Sequence, residues 1–160
     1  MNEQPFIFEP PNPSDRHAMA RMLARDMSDL NQVVRTADEL LEVSDLILAD
    51  QGRSSFCRVA RPSEGHQAVG IVLASITFSV KYAGKALWIE NLFVDHGWRR
   101  RRLGRLLVEH LLDWAEDNNI KGIDLEAYQG NTPAALLYRS IGFERLNRER
   151  FWFSFDWIND

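Results

Sequence analysis

The sequence predicts an α/β (α+β) domain: one mixed sheet with helices on its faces. Three observations carry this expectation. Residues 68–80 and 86–94 are long β-branched and aromatic runs joined by a glycine-bearing connection, the pattern of paired strands. Directly after them the apolar period changes, and Leu103, Leu106, Leu107, Leu111 and Trp114 recur at the spacing of one buried helix face. Finally, helix-period patterns precede the strand-rich middle and follow it.

Taken in order, Phe6–Glu9 reads as an edge strand closed by Pro10, Pro11 and Pro13. Ser14 or Asp15 caps a helix to about Asp29, with Ala18, Met19, Met22 and Leu23 on one face. Thr36 followed by Glu39 is a capping box for a second helix through about Leu48, stopped by Gln51-Gly52. Phe56–Ala60 is a strand, Pro62–His66 turns the chain, Ala68–Val80 is a longer strand, Lys81–Lys85 is a hairpin connection and Ala86–Val94 is the next strand. The leucine-faced helix begins near Arg102–Leu103 and ends near Asn118-Asn119, and Gly122–Ala127 is a strand. Asn131-Thr132-Pro133 opens a helix whose face carries Ala134, Leu137, Tyr138 and Ile141, with Gly142 as its stop. Phe143–Arg145 and Phe151–Trp157 are expected to finish the sheet, for about seven strands and four helices in all.

At 160 residues the chain is expected to form a single domain, residues 1–160 with a core of about 6–157. Hydrophobic residues at 45% and charged residues at 26% are ordinary for a soluble globular protein. A net charge of -4 argues against a nucleic-acid binder, and the lack of a long apolar run argues against a membrane partner. The amino terminus has no basic start and no secretory apolar stretch, so a cytoplasmic protein is expected. The single cysteine, Cys57, excludes an internal disulfide. His17, His66, His96 and His110 lack metal-ligand spacing, and no metal is expected.

Against this acidic background stands "GWRRRRLGRLL", residues 97–107. A charge run is most often solvated surface. Here, however, a strand leads through a short loop into a helix, and a helix amino end carries free N–H groups and about half a positive charge. Arg99, Arg100, Arg101, Arg102 and Arg105 add planar donors suited to phosphate oxygens, so the run sits where a phosphate-bearing ligand docks. His96 precedes this cradle and is a candidate ligand contact, while His110 reads as structural.

The stretch "VDHGWRRRRLGRLL" resembles the acetyl-CoA-binding motif of the GCN5-related N-acetyltransferase (GNAT) family, Arg/Gln-x-x-Gly-x-Gly/Ala, with Arg99 first and Gly104 last. "NTPAALLYRSIGF" resembles the family's second signature, Asn-x-x-Ala-x-x-x-Tyr-x-x-x-Gly-Phe, and the order of elements matches from Phe6 to Trp157. Within the family, "LWIENLFV" and the hairpin before it look most like the diamine (spermidine/spermine-type) branch. The resemblance implies a mostly antiparallel, twisted sheet. One position departs from the motif: Arg102 stands where the family has a glycine. Arg102 offers its N–H to a ligand if its φ is negative, and its guanidinium either reaches a phosphate or swings outward.

The chemistry implied by the resemblance is direct attack of an amine on the thioester of acetyl-CoA, the cofactor. An alkylammonium with a pKa near ~10.4 must first lose a proton. Glu90, acting through a water, is the candidate base, set against the plainer reading of a salt-bridged or edge-exposed glutamate. A strand bulge near Leu92 is expected to bind the thioester carbonyl through a main-chain N–H. Phe93 and Val94 are expected to contact the pantetheine arm, and Leu103, Gly104, Asn131 and Ala134 to contact the cofactor. Tyr138 matches the family's general acid for a leaving thiolate of pKa near ~8.5, set against the reading of a core aromatic. Asp26, Asp29, Tyr82, Trp88, Glu90 and Asn91 are candidate contacts for a small cationic amine acceptor, although acids on helices are mostly solvated. A homodimer through "FWFSFDW", residues 151–157, is possible by resemblance, and a non-catalytic acyl-CoA-binding module is the alternative reading.

Overall fold

Helix starts are where this sequence writes its structure most openly. In the computed structural model, which describes residues 5–30, 32, 35–65 and 67–156, Thr36 Oγ1 accepts from the Glu39 N–H at 3.2 Å, and a Glu39 carboxylate oxygen accepts from the Thr36 N–H at 2.9 Å. That capping box opens helix α2, Ala37–Asp50. Helix α1, Arg16–Asp29, follows a single 3-10 turn capped by Asn12. Asp15, at the junction, is 2% exposed and pairs in a fork with the buried Arg61 at 2.9 Å.

Five strands form one sheet in the order β1 (Phe6–Glu9), β2 (Ser55–Pro62), β3 (Gly70–Ser79), β4 (Gly84–Val94) and β5 (Gly122–Leu125). The first three pairings are antiparallel, and β4–β5 is parallel, from Ala86↔Gly122 to Ile89↔Leu125. A parallel neighbour requires a crossover. Helix α3, Leu103–Asp117, supplies it, burying Leu103, Leu107, Val108, Leu111 and Ala115. The leucine face anticipated from the sequence is thus real, with Leu106 and Trp114 half-buried at its margins.

The sheet is covered on both sides. Ala18, Met19 and Met22 of α1 pack with Cys57, Val59, Ile71 and Phe93, and Ile47, Leu48 and Leu73 join them. Elsewhere Trp114 of α3 lies 5.0 Å from Phe56, and a Cβ added to Gly70 would meet Leu107 at 3.2 Å. Burial pushes the Cys57 thiol up to about 12, so the lone cysteine behaves as a small apolar residue. No helix among the described residues is long and apolar enough to cross a membrane.

The chain divides into two compact units, Met1–Tyr128 and Gln129–Asp160. The second contains helix α4, Thr132–Ile141, begun by the Asn131 side chain, which accepts from the Ala134 N–H at 3.4 Å. It is ended by Gly142 at φ 115°. Here the sequence expectation fails. Neither Phe143–Arg145 nor the described part of Phe151–Trp157 forms a strand; Trp157, like His66, lies outside the described residues. Among the described residues the sheet therefore has five strands rather than about seven. A strand exists only where a neighbour completes its ladder. Residues 143–156 find none, and Phe151, Trp152, Phe153 and Phe155 stay exposed.

The hairpin between β3 and β4 folds back over the start of β5. The Tyr82 hydroxyl donates to Asp124 at 2.7 Å, Lys81 pairs with the same carboxylate at 2.8 Å, and the Tyr82 ring lies where a Cβ on Gly122 would fall, 2.4 Å away. Gly122→Ala must push out a ring that Asp124 holds. It is expected to cost about 1–3 kcal/mol, read as a lower midpoint in urea unfolding.

Candidate active site

Strand β4 outlasts its parallel neighbour. Pairing with β5 stops at Ile89↔Leu125, while β4 runs on to Val94. Residues 90–94 therefore have no strand beside them on that edge among the described residues. Within the same stretch the antiparallel register with β3 breaks. Leu73 faces Asn91 and Ala74 faces Ile89, which leaves Glu90 as the extra residue of a β-bulge. The bulge expected near Leu92 thus lies two residues earlier.

Two side-chain bonds hold the bulge. Ser75 Oγ donates to Glu90 at 2.9 Å, and Asn91 Nδ2 donates to Asp26 Oδ2 at 2.7 Å. Glu90 itself is exposed, so the cost of placing an acid in an apolar strand is avoided by turning it to water. Asp26 is different: it is 8% exposed on α1, and burial pushes its carboxyl above the usual range, with Asn91 and Arg99 opposing.

The loop after β4 is fastened to the same helix. Arg21 holds Asp95 with two bonds of 2.7 and 2.9 Å and reaches the Ala68 carbonyl. Asp29 accepts from Arg99 Nη2 at 2.9 Å and lies 2.8 Å from His96 Nε2. These partners, His96 first, hold the Asp29 carboxyl below its ordinary value. Arg99 Nε also donates to the Val94 carbonyl at 2.8 Å, and its guanidinium lies 5.4 Å from the Phe93 ring centre. Arg99 is therefore committed to the protein, as a brace between β4 and α1.

Beyond Arg99 the chain turns sharply into α3. Arg100 and Arg102 have φ of 63° and 65°, in the left-handed region. The condition set for Arg102, a negative φ that would turn its N–H to a ligand, is therefore not met. The turn demands the conformation that glycine adopts freely, and an arginine adopts it at a cost of about 1–2 kcal/mol. Arg102 is the residue before the helix, with no side-chain cap there, and the first helical bond runs from Leu106 to its carbonyl. The amides of Leu103, Gly104 and Arg105 consequently have no intrahelical acceptor. The exposed guanidinium groups of Arg100 and Arg102 enter no ion pair among the described residues. Arg101 lies 4.9 Å from the Trp98 ring centre, and Arg105 pairs with Glu109 at 3.6 Å. A diphosphate fits this donor set of amides, positive helix end and unpaired guanidinium groups.

The remaining expected residues fall in three places. Trp88 is half-buried on β4, in register with Ser75 and Asp124; Tyr82 is at the hairpin, bound to Asp124. His110 stacks on Phe8 at 4.6 Å, the structural role expected of it. Asn131, Ala134 and Tyr138 belong to the second unit, where Tyr138 is half-buried with its ring centre 5.8 Å from that of Phe143. Sequence reasoning missed Ser75, Arg21 and Asp95, and no local signal marks them, because each partner is far along the chain.

The family model described as acetyltransferase (GNAT) family matches residues 18–143. The [ribosomal protein bS18]-alanine N-acetyltransferase of Salmonella typhimurium is 38% identical over 63 residues, 39% of this chain and 43% of the relative. This chain thus matches less than half the length of that curated relative. The thialysine N-epsilon-acetyltransferase of Caenorhabditis elegans is 28% identical over 91 residues, 57% of this chain and 56% of that one. Among solved structures, a possible acetyltransferase from Clostridium difficile 630 superposes with a TM-score of 0.80 at 19% identity, over 93% of this chain and 97% of that one. The aminoglycoside N-acetyltransferase AAC(6')-Iy in complex with CoA gives 0.77 at 18% identity, over 94% and 95%.

The left-handed arginine generates its own test. Arg102→Gly removes the Cβ conflict and adds unfolded-chain entropy, which offsets part of the gain. It is expected to stabilise the chain by about 0.5–1 kcal/mol, seen as a raised thermal midpoint.

Proposed function

The chain belongs to the acetyltransferase (GNAT) family, and from that premise we propose that it moves an acetyl group from acetyl-CoA to a primary amine of a small cationic acceptor by direct attack. The observation that carries the reading is the uncapped amino end of α3, with its left-handed arginines, beside the strandless edge of β4. Acetyl-CoA supplies the activated acetyl thioester. The amides of Leu103, Gly104 and Arg105, with Arg100, Arg101 and Arg102, are the proposed holders of its diphosphate. Arg99 serves that site as a brace, its guanidinium held by Val94 and Asp29 rather than by a phosphate. Main-chain groups of Leu92, Phe93 and Val94, on the open edge, align the thioester arm. An amide there stabilises charge as it grows on the carbonyl oxygen.

Glu90 meets the acceptor's ammonium at the bulge and, through a water, offers one route for its proton. Tyr138 protonates the departing sulfur, and Asn131 with Ala134 contacts the cofactor; these roles rest on the family resemblance of residues 131–143. A cationic acceptor is supported by the acids Asp26, Asp29 and Glu90 near Asn91, with Trp88 and Tyr82 as aromatic walls. The relatives named for thialysine and for aminoglycosides take amines of that kind, and the diamine branch remains the narrower form of this proposal. A lone buried thiol suits a reducing, cytoplasmic setting, and the exposed rings of Phe151, Trp152, Phe153 and Phe155 suit a homodimer contact.

Titration calorimetry with acetyl-CoA tests the reading at its base. Saturable binding is expected, and no heat of binding removes both the enzyme and the alternative of a non-catalytic module, which Arg102 in place of glycine motivates. Thiol release with a panel of primary amines then separates those two. Tyr138→Phe is expected to lower kcat about 10²-fold while leaving acetyl-CoA affinity within about twofold. Glu90→Gln is expected to raise the acceptor KM about tenfold, since it removes a charge from the docking point; an unchanged KM would take Glu90 out of the acceptor site.

A further inference from the structure

Burial divides the acids near the bulge into two kinds. Glu90 is exposed and holds a serine hydroxyl at 2.9 Å. Asp26 has lost more than nine-tenths of its surface to the fold, at 8% exposed. Its only side-chain hydrogen bond among the described residues is the 2.7 Å contact from the neutral amide of Asn91 to Oδ2. Oδ1 accepts nothing among them. An anion taken from water without a paired cation is costly, and stability alone does not account for it. The other acids packed on this sheet face are treated differently: Asp15 has Arg61, Asp95 has Arg21, and Asp29 has His96 and Arg99.

Place sharpens the contrast. Asn91 follows the bulged Glu90 directly, so the Asp26–Asn91 bond sets a largely buried carboxylate, whose Oδ1 is not fully closed off from solvent, beside the one irregularity of the β3–β4 ladder. The charged groups acting on it are Asp29, one turn along α1, and Arg99, from the loop after β4. Resting on the proposed transferase reading, we propose that Asp26 is the group that takes the proton from the acceptor's ammonium, with Asn91 fixing the carboxylate for that step. Oδ1 receives the proton, and the N–H bond's electron pair stays on nitrogen. That pair forms the new C–N bond as the C–S bond breaks. The acylated nitrogen loses its second proton to water, the departing sulfur takes one from its general acid, which water reprotonates, and Asp26 returns its own to water. Burial suits the role, because a carboxyl pushed up in affinity narrows the gap to an alkylammonium. Glu90 then docks the cation, and Asp26 discharges it.

Asp26→Asn keeps the shape and the Asn91 bond and removes the carboxylate's charge together with its capacity to take a proton. The full chain and this variant are assayed with propylamine and 1,3-diaminopropane, protonated at mildly alkaline pH, and with their β,β-difluorinated analogues, largely neutral there. The expected result is a loss of about 10²-fold in kcat/KM for the protonated amines and less than about threefold for the neutral ones, with acetyl-CoA affinity unchanged by calorimetry. An equal loss on both amine classes, a change confined to acceptor KM, or a variant that fails to fold overturns the assignment and makes Asp26 a binding or structural residue. Acetyl-CoA binding without turnover of any amine by the unaltered chain overturns the transferase reading itself, and Asp26 with it.

Discussion

A main-chain amide needs a partner, and the end of β4 is where this fold withholds one. The strand continues past Ile89 after its parallel neighbour has stopped, and the bulge at Glu90 interrupts its other ladder a single residue later. Everything around the candidate site compensates for that gap or makes use of it. Ser75 and Asp26 fasten the two residues that the bulge displaces. Arg99 takes the Val94 carbonyl. What remains is an edge of polar backbone beside an uncapped helix, which is the material of an acyl-CoA site rather than of a core.

Helix α1 is the counterpart of that gap. Arg21, Asp26 and Asp29 bind, in turn, the loop after β4, the bulge, and the residues leading into the arginine turn. The helix that is expected to shape the acceptor pocket thus also fixes the backbone expected to hold the donor. Displacement of α1 would move the bulge and the loop after β4 together. The arginine run divides its labour in the same way: Arg99 braces, Arg101 covers Trp98, Arg105 pairs along its helix, and Arg100 and Arg102 face outward from a left-handed turn.

Local rules were legible in the sequence because their causes are local. The Thr36–Glu39 box, the asparagine start and glycine stop of α4, and the leucine face of α3 depend on residues three to eight apart. The two motifs that carry the family resemblance are of this kind. The reading failed at residues 143–156. Aromatic alternation there signals surface seeking cover, but a strand needs a ladder partner that no local pattern names, and residues 143–156 have none.

The sequence by itself thus determined the family, the order of helices and strands through Ile141, and the place of the arginine turn, because period, caps and motif spacing act over a few residues. Only the tertiary structure decided that Glu90 is the bulged residue, that Arg99 spends its guanidinium on Val94 and Asp29, and that Asp26 is buried. The Asp26–Asn91 and Arg99–Asp29 contacts join residues 65 and 70 positions apart, and the place of Glu90 turns on register. Burial and strand register are properties of the assembled sheet, and no stretch of chain carries them alone.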